Sequence, residues 1–249
     1  MTIKRKKNYE ILPLIYNYLM RNISYKLWAQ YLATILNKLV PSSGKVLELG
    51  AGNCSFANYF SNFFPNIIAT DLSKNMLNSD SKNIIPKIVC DMTLLPFNTK
   101  FDLIYSTFDS VNYLMSKKKL FALFKQAKEL LNDEGIFTFD ASLEKNSLIH
   151  SYKPERRGKY KGVEFLQISH YNKKSRIHYN YFELKMNNGV IFSEIHKQKI
   201  FSFNVYFDLI EKAGLYVLKC YETFSFRDGS QDSKRVQFII KRRNKNAEI

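Results

Sequence analysis

The residues best placed to do chemistry lie in one run, Val46-Leu47-Glu48-Leu49-Gly50-Ala51-Gly52-Asn53-Cys54-Ser55. Val46–Leu49 reads as a buried strand, and the two glycines after it let the backbone turn tightly and approach a ligand. Asp71 ends the next apolar run, 71 − 48 = 23 residues after Glu48. At that place a carboxylate can accept both hydroxyls of a ribose. Asp91 ends a third run, 91 − 71 = 20 residues further on. Each acid alone reads equally well as a helix N-cap. The ordered set of three at successive strand ends points instead to a ligand at the carboxyl edge of a sheet, where open α/β folds bind.

Other chemistries find less support. Position 55 is serine, so the three-glycine dinucleotide pattern fails. No Gly-x-Ser-x-Gly elbow occurs. His150, His170 and His178 have no partners at metal-ligand spacing, and no metal is assigned. The three cysteines, Cys54, Cys90 and Cys220, are too few and too scattered for a disulfide scaffold, and they suggest a reducing compartment.

The elements that must position these residues follow from periodicity. Two helices are expected near Tyr9–Arg21 and Ser24–Leu39, the first because Ile11, Leu14, Ile15, Tyr18 and Leu19 share one face. Basic Lys4–Lys7 before Ile11–Met20 imitates a signal peptide, but Asn17 and Arg21 interrupt the run and no small-residue cleavage site follows. No apolar stretch approaches the ~20 residues of a membrane span, and a cytoplasmic location is expected. Strands at Val46–Leu49, Ile67–Thr70, Lys87–Cys90, Phe101–Ser106 and Ile136–Asp140 alternate with helices at Phe56–Phe64, Ser73–Asn78 and around Leu120–Leu131. This alternation means a mostly parallel sheet covered on both faces. After His150 the period becomes two, with a turn at Asn187-Asn188-Gly189, which reads as an antiparallel excursion. A helix over Val205–Ala213, with Asn204 as its N-cap, precedes two strands, Leu215–Thr223 and Arg235–Lys241, joined too closely to be parallel.

Glu48, Gly50 and Gly52 resemble the first motif of the class I S-adenosylmethionine-dependent methyltransferases: an acid, any residue, then Gly-x-Gly-x-Gly, with Cys54 at the third glycine. The resemblance covers Lys45–Asp140 and the final helix and strands. It implies a Rossmann-like α/β fold with the last strand antiparallel, and S-adenosyl-L-methionine as methyl donor. It also implies a donor site drawn from Glu48, Leu49, Gly50, Ala51, Gly52, Asp71, Leu72, Met76, Asp91, Met92, Thr107 and Phe108. A narrower resemblance, to a bacterial small-molecule subgroup that includes amino-sugar N-methyltransferases, rests on Phe101–Tyr105, on Phe108–Leu114, on Tyr16-Asn17 with Tyr25-x-x-Trp28, and on Glu194-Ile195-His196. Asn17 stands where that subgroup usually has aspartate. The subgroup implies a helical lid over 1–40, a donor-binding domain over 41–149 and 199–249, and an antiparallel insertion over 150–198. Tyr16 and Trp28 then belong to the donor site. Tyr16, Asp109, Asn112, Tyr113 and His196 are expected to face the acceptor, with Tyr16, Asp109, Tyr113 and His196 as catalytic candidates. The alternative for Tyr16 is a core aromatic on the first helix, and His196 is read first as a solvated strand residue.

Lys plus Arg is 38 and Asp plus Glu 22, a net charge of +16 that draws polyanions. The joint richness in Lys, Asn, Ile, Phe and Tyr has the look of an AT-rich genome, which needs no partner. Residues 106–109 lack Asn/Asp-Pro-Pro-Tyr, and no Pro-Cys pair occurs. These gaps disfavour exocyclic adenine and C5-pyrimidine methylation, and no RNA-binding domain is recognisable. The expectation is methyl transfer to N or O of a small molecule. A nucleic-acid methyltransferase and a donor-binding protein without turnover are the alternatives, and a homodimer through the inserted strands is kept open. Lys153, Arg156, Arg157, Lys159 and Lys161 are expected to form a solvated edge. Removing 1–40 is expected to abolish donor binding and leave the sheet folded.

Overall fold

The structure is a computed structural model, and it describes residues 3–79 and 84–243. The strands are β1 (Ile3–Arg5), β2 (Val46–Leu49), β3 (Ile67–Asp71), β4 (Lys87–Val89), β5 (Phe101–Ser106), β6 (Leu131–Ser142), β7 (Glu155–Tyr160), β8 (Val163–Asn172), β9 (Ile177–Lys185), β10 (Ile191–Lys199), β11 (Leu215–Glu222) and β12 (Arg235–Arg242). The helices are α1 (Tyr16–Leu19), α2 (Tyr25–Leu36), α3 (Ser55–Phe60), α4 (Lys74–Leu77), α5 (Lys117–Leu130), α6 (Glu144–Tyr152) and α7 (Phe203–Lys212).

Seven strands form the larger sheet in the order β11-β12-β6-β5-β2-β3-β4. The strands β6, β5, β2, β3 and β4 run parallel, and β12 lies antiparallel to both β6 and β11. This is a Rossmann-like sheet with the last strand reversed, as expected. Alternation along β2 sends Val46 to one face and Leu47 and Leu49 to the other. α2 and α3 cover the first face, and α5 and α7 the second.

A second sheet, ordered β1-β10-β9-β8-β7, rises beside the first. Its core joins Val163, Phe165, Phe182 and Leu184 to Ile11, Leu12 and Ile15 of the N-terminal segment. β1, unforeseen in the sequence, pairs in parallel with β10. The N-terminal stretch is therefore shared between the sheets: residues 3–21 pack on the second, and α2 is core of the first through Trp28, Leu32 and Leu36. Pro13 divides the expected first helix into a 3-10 turn at Leu12–Leu14 and the single turn α1.

Three further differences have local causes. The Asn132–Gly135 break is absorbed as an irregularity inside β6, because pairing with β5 jumps from Leu131 to Ile136. α6 went unseen because its short polar run buries only Ser147. α7 starts earlier than expected, with Ser202 at the N-cap position in place of Asn204. Among the described residues no helix is long and apolar enough to cross a membrane.

Candidate active site

The turn after β2 carries three left-handed residues in alternation, Gly50 (φ 69°), Gly52 (φ 59°) and Cys54 (φ 62°). A side chain at Gly50 would stand 2.8 Å from the Cβ of Ser110, so only glycine fits there. Cys54, fully buried, holds the same conformation at the start of α3, which explains why a glycine suits that place. Asp71, the last residue of β3, fastens the turn: its Oδ2 accepts from Gly52 N at 2.8 Å and its Oδ1 from Ser73 N at 2.7 Å. Each oxygen keeps a further lone pair for a ligand. Burial pushes the Asp71 carboxyl up, against the pull of these amides.

Glu48 sits beneath the turn, 1% exposed, with Oε2 lacking a hydrogen-bond partner. Burial lifts its pKa to about 8, and the nearby Tyr105 hydroxyl offsets only part of that rise. Asp91 Oδ1 accepts from Thr93 N and Oγ1, both at 2.8 Å, which turns the chain after β4.

These groups floor a cavity of about 730 Å³. Of the residues singled out from the sequence, Tyr16, Glu48, Gly50, Ala51, Gly52, Asp71, Leu72, Met76, Asp91, Met92, Thr107, Phe108 and Tyr113 line it. Leu49 is a neighbour in sequence only, with its side chain in the opposite-face core. Trp28 stands behind the wall, packed on Phe108 at 4.7 Å and on Phe224 at 4.5 Å between ring centres.

Three residues expected to face the acceptor do not line this cavity. Asp109 turns away: Oδ1 pairs with Arg235 at 2.9 Å and Oδ2 accepts from Gln198 at 2.8 Å, beside a separate polar cavity of about 190 Å³. Arg235, also bonded to buried Asp140, is pulled above its ordinary range by the two carboxylates despite its burial. Asn112 is fully buried and holds the backbone, donating to Ser142 O and Lys199 O and accepting from Ser142 N. His196 is 1% exposed, so it is neither solvated nor at the cavity surface, and it reaches the cavity only through Tyr113.

The cavity wall holds residues that periodicity did not single out. Tyr9, in a left-handed conformation at φ 59°, places its hydroxyl 2.7 Å from that of Tyr113. Tyr113 lies 3.2 Å from His196 Nδ1, and His196 Nε2 lies 2.8 Å from Glu194 Oε2. Glu194 is wholly buried and also accepts from Tyr9 N, Ile11 N and Leu12 N. Burial alone would raise its pKa, but His196 and the Ile11 and Leu12 amides outweigh burial and hold it below the ordinary carboxylate range. Burial, with the neighbouring phenols, pushes Tyr9 and Tyr16 far above the usual tyrosine value, and burial with nearby carboxylates pushes Tyr113 up against the pull of the Tyr9 hydrogen bond. The cavity therefore presents neutral phenols at physiological pH.

Residues 46–135 match the family model described as "Methyltransferase domain". The chain thus carries a methyltransferase domain. The enzyme is 25% identical to a protein of Geobacillus sp. (strain WCH70), provisionally named a methyltransferase, over 94% of this chain and 99% of that one. Its fold matches a S-adenosylmethionine-dependent methyltransferase of Clostridium acetobutylicum at a TM-score of 0.78, with 20% identity, covering 95% of this chain and 99% of the other. It also matches an amino pentose methyltransferase of Micromonospora echinaspora, solved with S-adenosylmethionine bound, at a TM-score of 0.70, with 16% identity, covering 92% and 96%. The residues present fit the methyl donor. Asp71 suits a diol, the left-handed turn leaves room for close approach, and the unpartnered Glu48 Oε2 suits a buried cationic or hydrogen-bonding group.

Proposed function

We propose that the enzyme methylates N or O of a small molecule bound between the glycine turn and the tyrosine wall. The observation that carries this reading is the single cavity that joins Gly50, Gly52 and Asp71 on one side to Tyr9, Tyr16 and Tyr113 on the other. Bound there, S-adenosylmethionine supplies a methyl group on an already activated sulfonium. The chain then has to orient the acceptor, hold it in line and exclude water. Gly50, Gly52 and Asp71 would hold the donor, with Asp91, Met92, Thr107 and Phe108 around its base. Tyr16, from α1, would close the cavity from above. The N-terminal segment, through Lys7, Asn8, Tyr9, Glu10 and Tyr16, bounds the cavity on the side away from the glycine turn, and a small acceptor is in keeping with the amino pentose substrate class in the name of one structural neighbour.

The basic edge favours no nucleic-acid site. Arg157 pairs with Glu155, Lys159 with Glu164, and Arg156 donates to Leu19 O. The three cysteines are unbridged, in keeping with a cytoplasmic enzyme. Incubation with methyl-labelled S-adenosylmethionine and fractionated cell extract tests the reading. Label is expected in the small-molecule fraction. Label in RNA, or none in any fraction, would overturn it in favour of one or other alternative.

A further inference from the structure

The hydrogen bonds behind the tyrosine wall have a direction, and that direction constrains the acceptor. Glu194 is surrounded by donors: Oε1 takes Ile11 N at 2.5 Å and Leu12 N at 3.1 Å, and Oε2 takes Tyr9 N at 2.8 Å. An ionised carboxylate can only accept. The contact of 2.8 Å with His196 Nε2 therefore places a hydrogen on Nε2. In the neutral ring Nδ1 is then an acceptor. With the ring neutral, Tyr113, 3.2 Å away, is the donor to Nδ1, and its oxygen is left to accept from Tyr9 at 2.7 Å. With its hydrogen committed to Tyr113, Tyr9 shows the cavity only a lone pair.

We propose that Tyr9, Tyr113, His196 and Glu194 form a one-way proton outlet, with Tyr9 meeting a protonated amine acceptor and His196 receiving its proton. This rests on the methyl-transfer reading and deepens it. The arrangement extends the carboxylate–imidazole–hydroxyl logic of hydrolase triads by one phenol. In the step, an N–H bond of the ammonium breaks and its proton passes to Tyr9 Oη. The Tyr9 proton moves to Tyr113 Oη, and that of Tyr113 to His196 Nδ1. The amine lone pair is freed, and the positive charge ends as an imidazolium facing the Glu194 carboxylate. The phenols end as they began, as their raised pKa values require.

The chemistry selects an amine over a hydroxyl. Ammonium groups titrate at about 8–10 and imidazole at about 6.5, close enough for the proton to pass to the ring as methylation consumes the amine lone pair. A water-like hydroxyl near about 15.7 lies too far away. Tyr9 and Tyr113 are the catalytic groups of this scheme. His196 and Glu194 act through them, as positioning residues. The titratable groups around His196 are Tyr9, Tyr113 and Glu194, with Asp71 and Asp109 near enough to act on Tyr113, and Phe182 packs on its ring at 5.3 Å.

The chain has four histidines, so histidine-labelled full-length protein gives a tractable nitrogen spectrum, with His196→Gln assigning the signals. At pH 7.5 the outlet requires wild-type His196 to carry one ring hydrogen, on Nε2, with the Nδ1 lone pair facing Tyr113. Tyr113→Phe should move the Nδ1 signal downfield, as a lost hydrogen bond requires. Tyr9→Phe should move it less, in the same direction. Glu194→Gln should mix the tautomers, because an amide both donates and accepts. A wild-type His196 that is doubly protonated, or that carries hydrogen on Nδ1, overturns the outlet, as does an Nδ1 signal indifferent to Tyr9→Phe. Should a variant fail to fold, the wild-type tautomer decides alone. The measurement uses no cofactor, so its failure leaves the methyl-transfer reading to the labelling experiment.

Discussion

Gly52 reaches Asp71 across 19 residues, whereas Tyr9 reaches Tyr113 across 104 and Glu194 across 185. The floor of the cavity is thus made within one strand–helix–strand unit. The wall is assembled from an N-terminal segment, a loop after β5 and a strand of the inserted sheet. The floor needs only short loop closures and neighbouring strand pairing. The wall needs both sheets in place, and one buried carboxylate fixes its register. A local floor can be altered at the level of binding with the fold intact. A change in the wall acts first on stability.

The largest effect should come from deleting residues 1–40. α2 buries Trp28, Leu32 and Leu36 against the first sheet, so the truncated chain should lose cooperative unfolding in urea. A truncation that still unfolds cooperatively would show that α2 is dispensable. Next, Glu194→Ala should cost at least about 3 kcal/mol, because it leaves three backbone amides without a partner at about 1–3 kcal/mol each. Denaturant melts check this, and a loss confined to activity would contradict a stability-first wall. On the floor, Asp71→Ala should weaken S-adenosylhomocysteine binding roughly 10- to 150-fold, from about 1.5–3 kcal/mol of charged hydrogen bonding. Calorimetry with S-adenosylhomocysteine and with NAD reads this directly; equal binding to the variant would remove the diol role from Asp71.

A smaller effect concerns Glu48. Its pKa is raised to about 8 by burial, so the folded state keeps a proton that the unfolded chain releases near its ordinary value. The folded state then binds more protons, and this residue makes stability fall as pH rises from about 4.5 to 8. Glu48→Gln should raise the melting temperature of the ligand-free enzyme at pH 8 by at least roughly 2–4 °C, or about 1 kcal/mol, with the gain vanishing near pH 4.5. A gain that grows toward acid pH would reverse the sign and refute it. Smallest of all, neutralising Lys153, Arg156, Arg157, Lys159 and Lys161 should reduce tRNA retention only at low salt. Retention that persists at about 200 mM salt, and that the five changes abolish, would make this edge a specific site.

The floor was legible because its signals are local. Strand β2, the two glycines, and the acids at the ends of β3 and β4 stand in sequence order, and period-two and helical patterns located them. The boundaries that failed had local competitors: Pro13 inside an apolar helical face, a break absorbed within β6, and a polar helix with almost nothing to bury. Tyr9 carried no sequence signal, since a lone tyrosine before a helix has no period. His196 was visible through its Glu-x-His spacing, yet the same strand pattern suits a solvated residue, and only the packing of residues 9–12 over Glu194 buries it.

Sequence alone determined the strand order of chemistry: a glycine turn followed by acids at successive strand ends, which any parallel right-handed winding brings to one edge. Tertiary structure decided what faces that edge. Asp109 and Tyr113 are four residues apart around one short 3-10 turn, but Arg235 draws the carboxylate away to another cavity while Tyr9 holds the phenol in this one. Those partners lie 126 and 104 residues distant, and no spacing within the loop could encode which side chain they would claim.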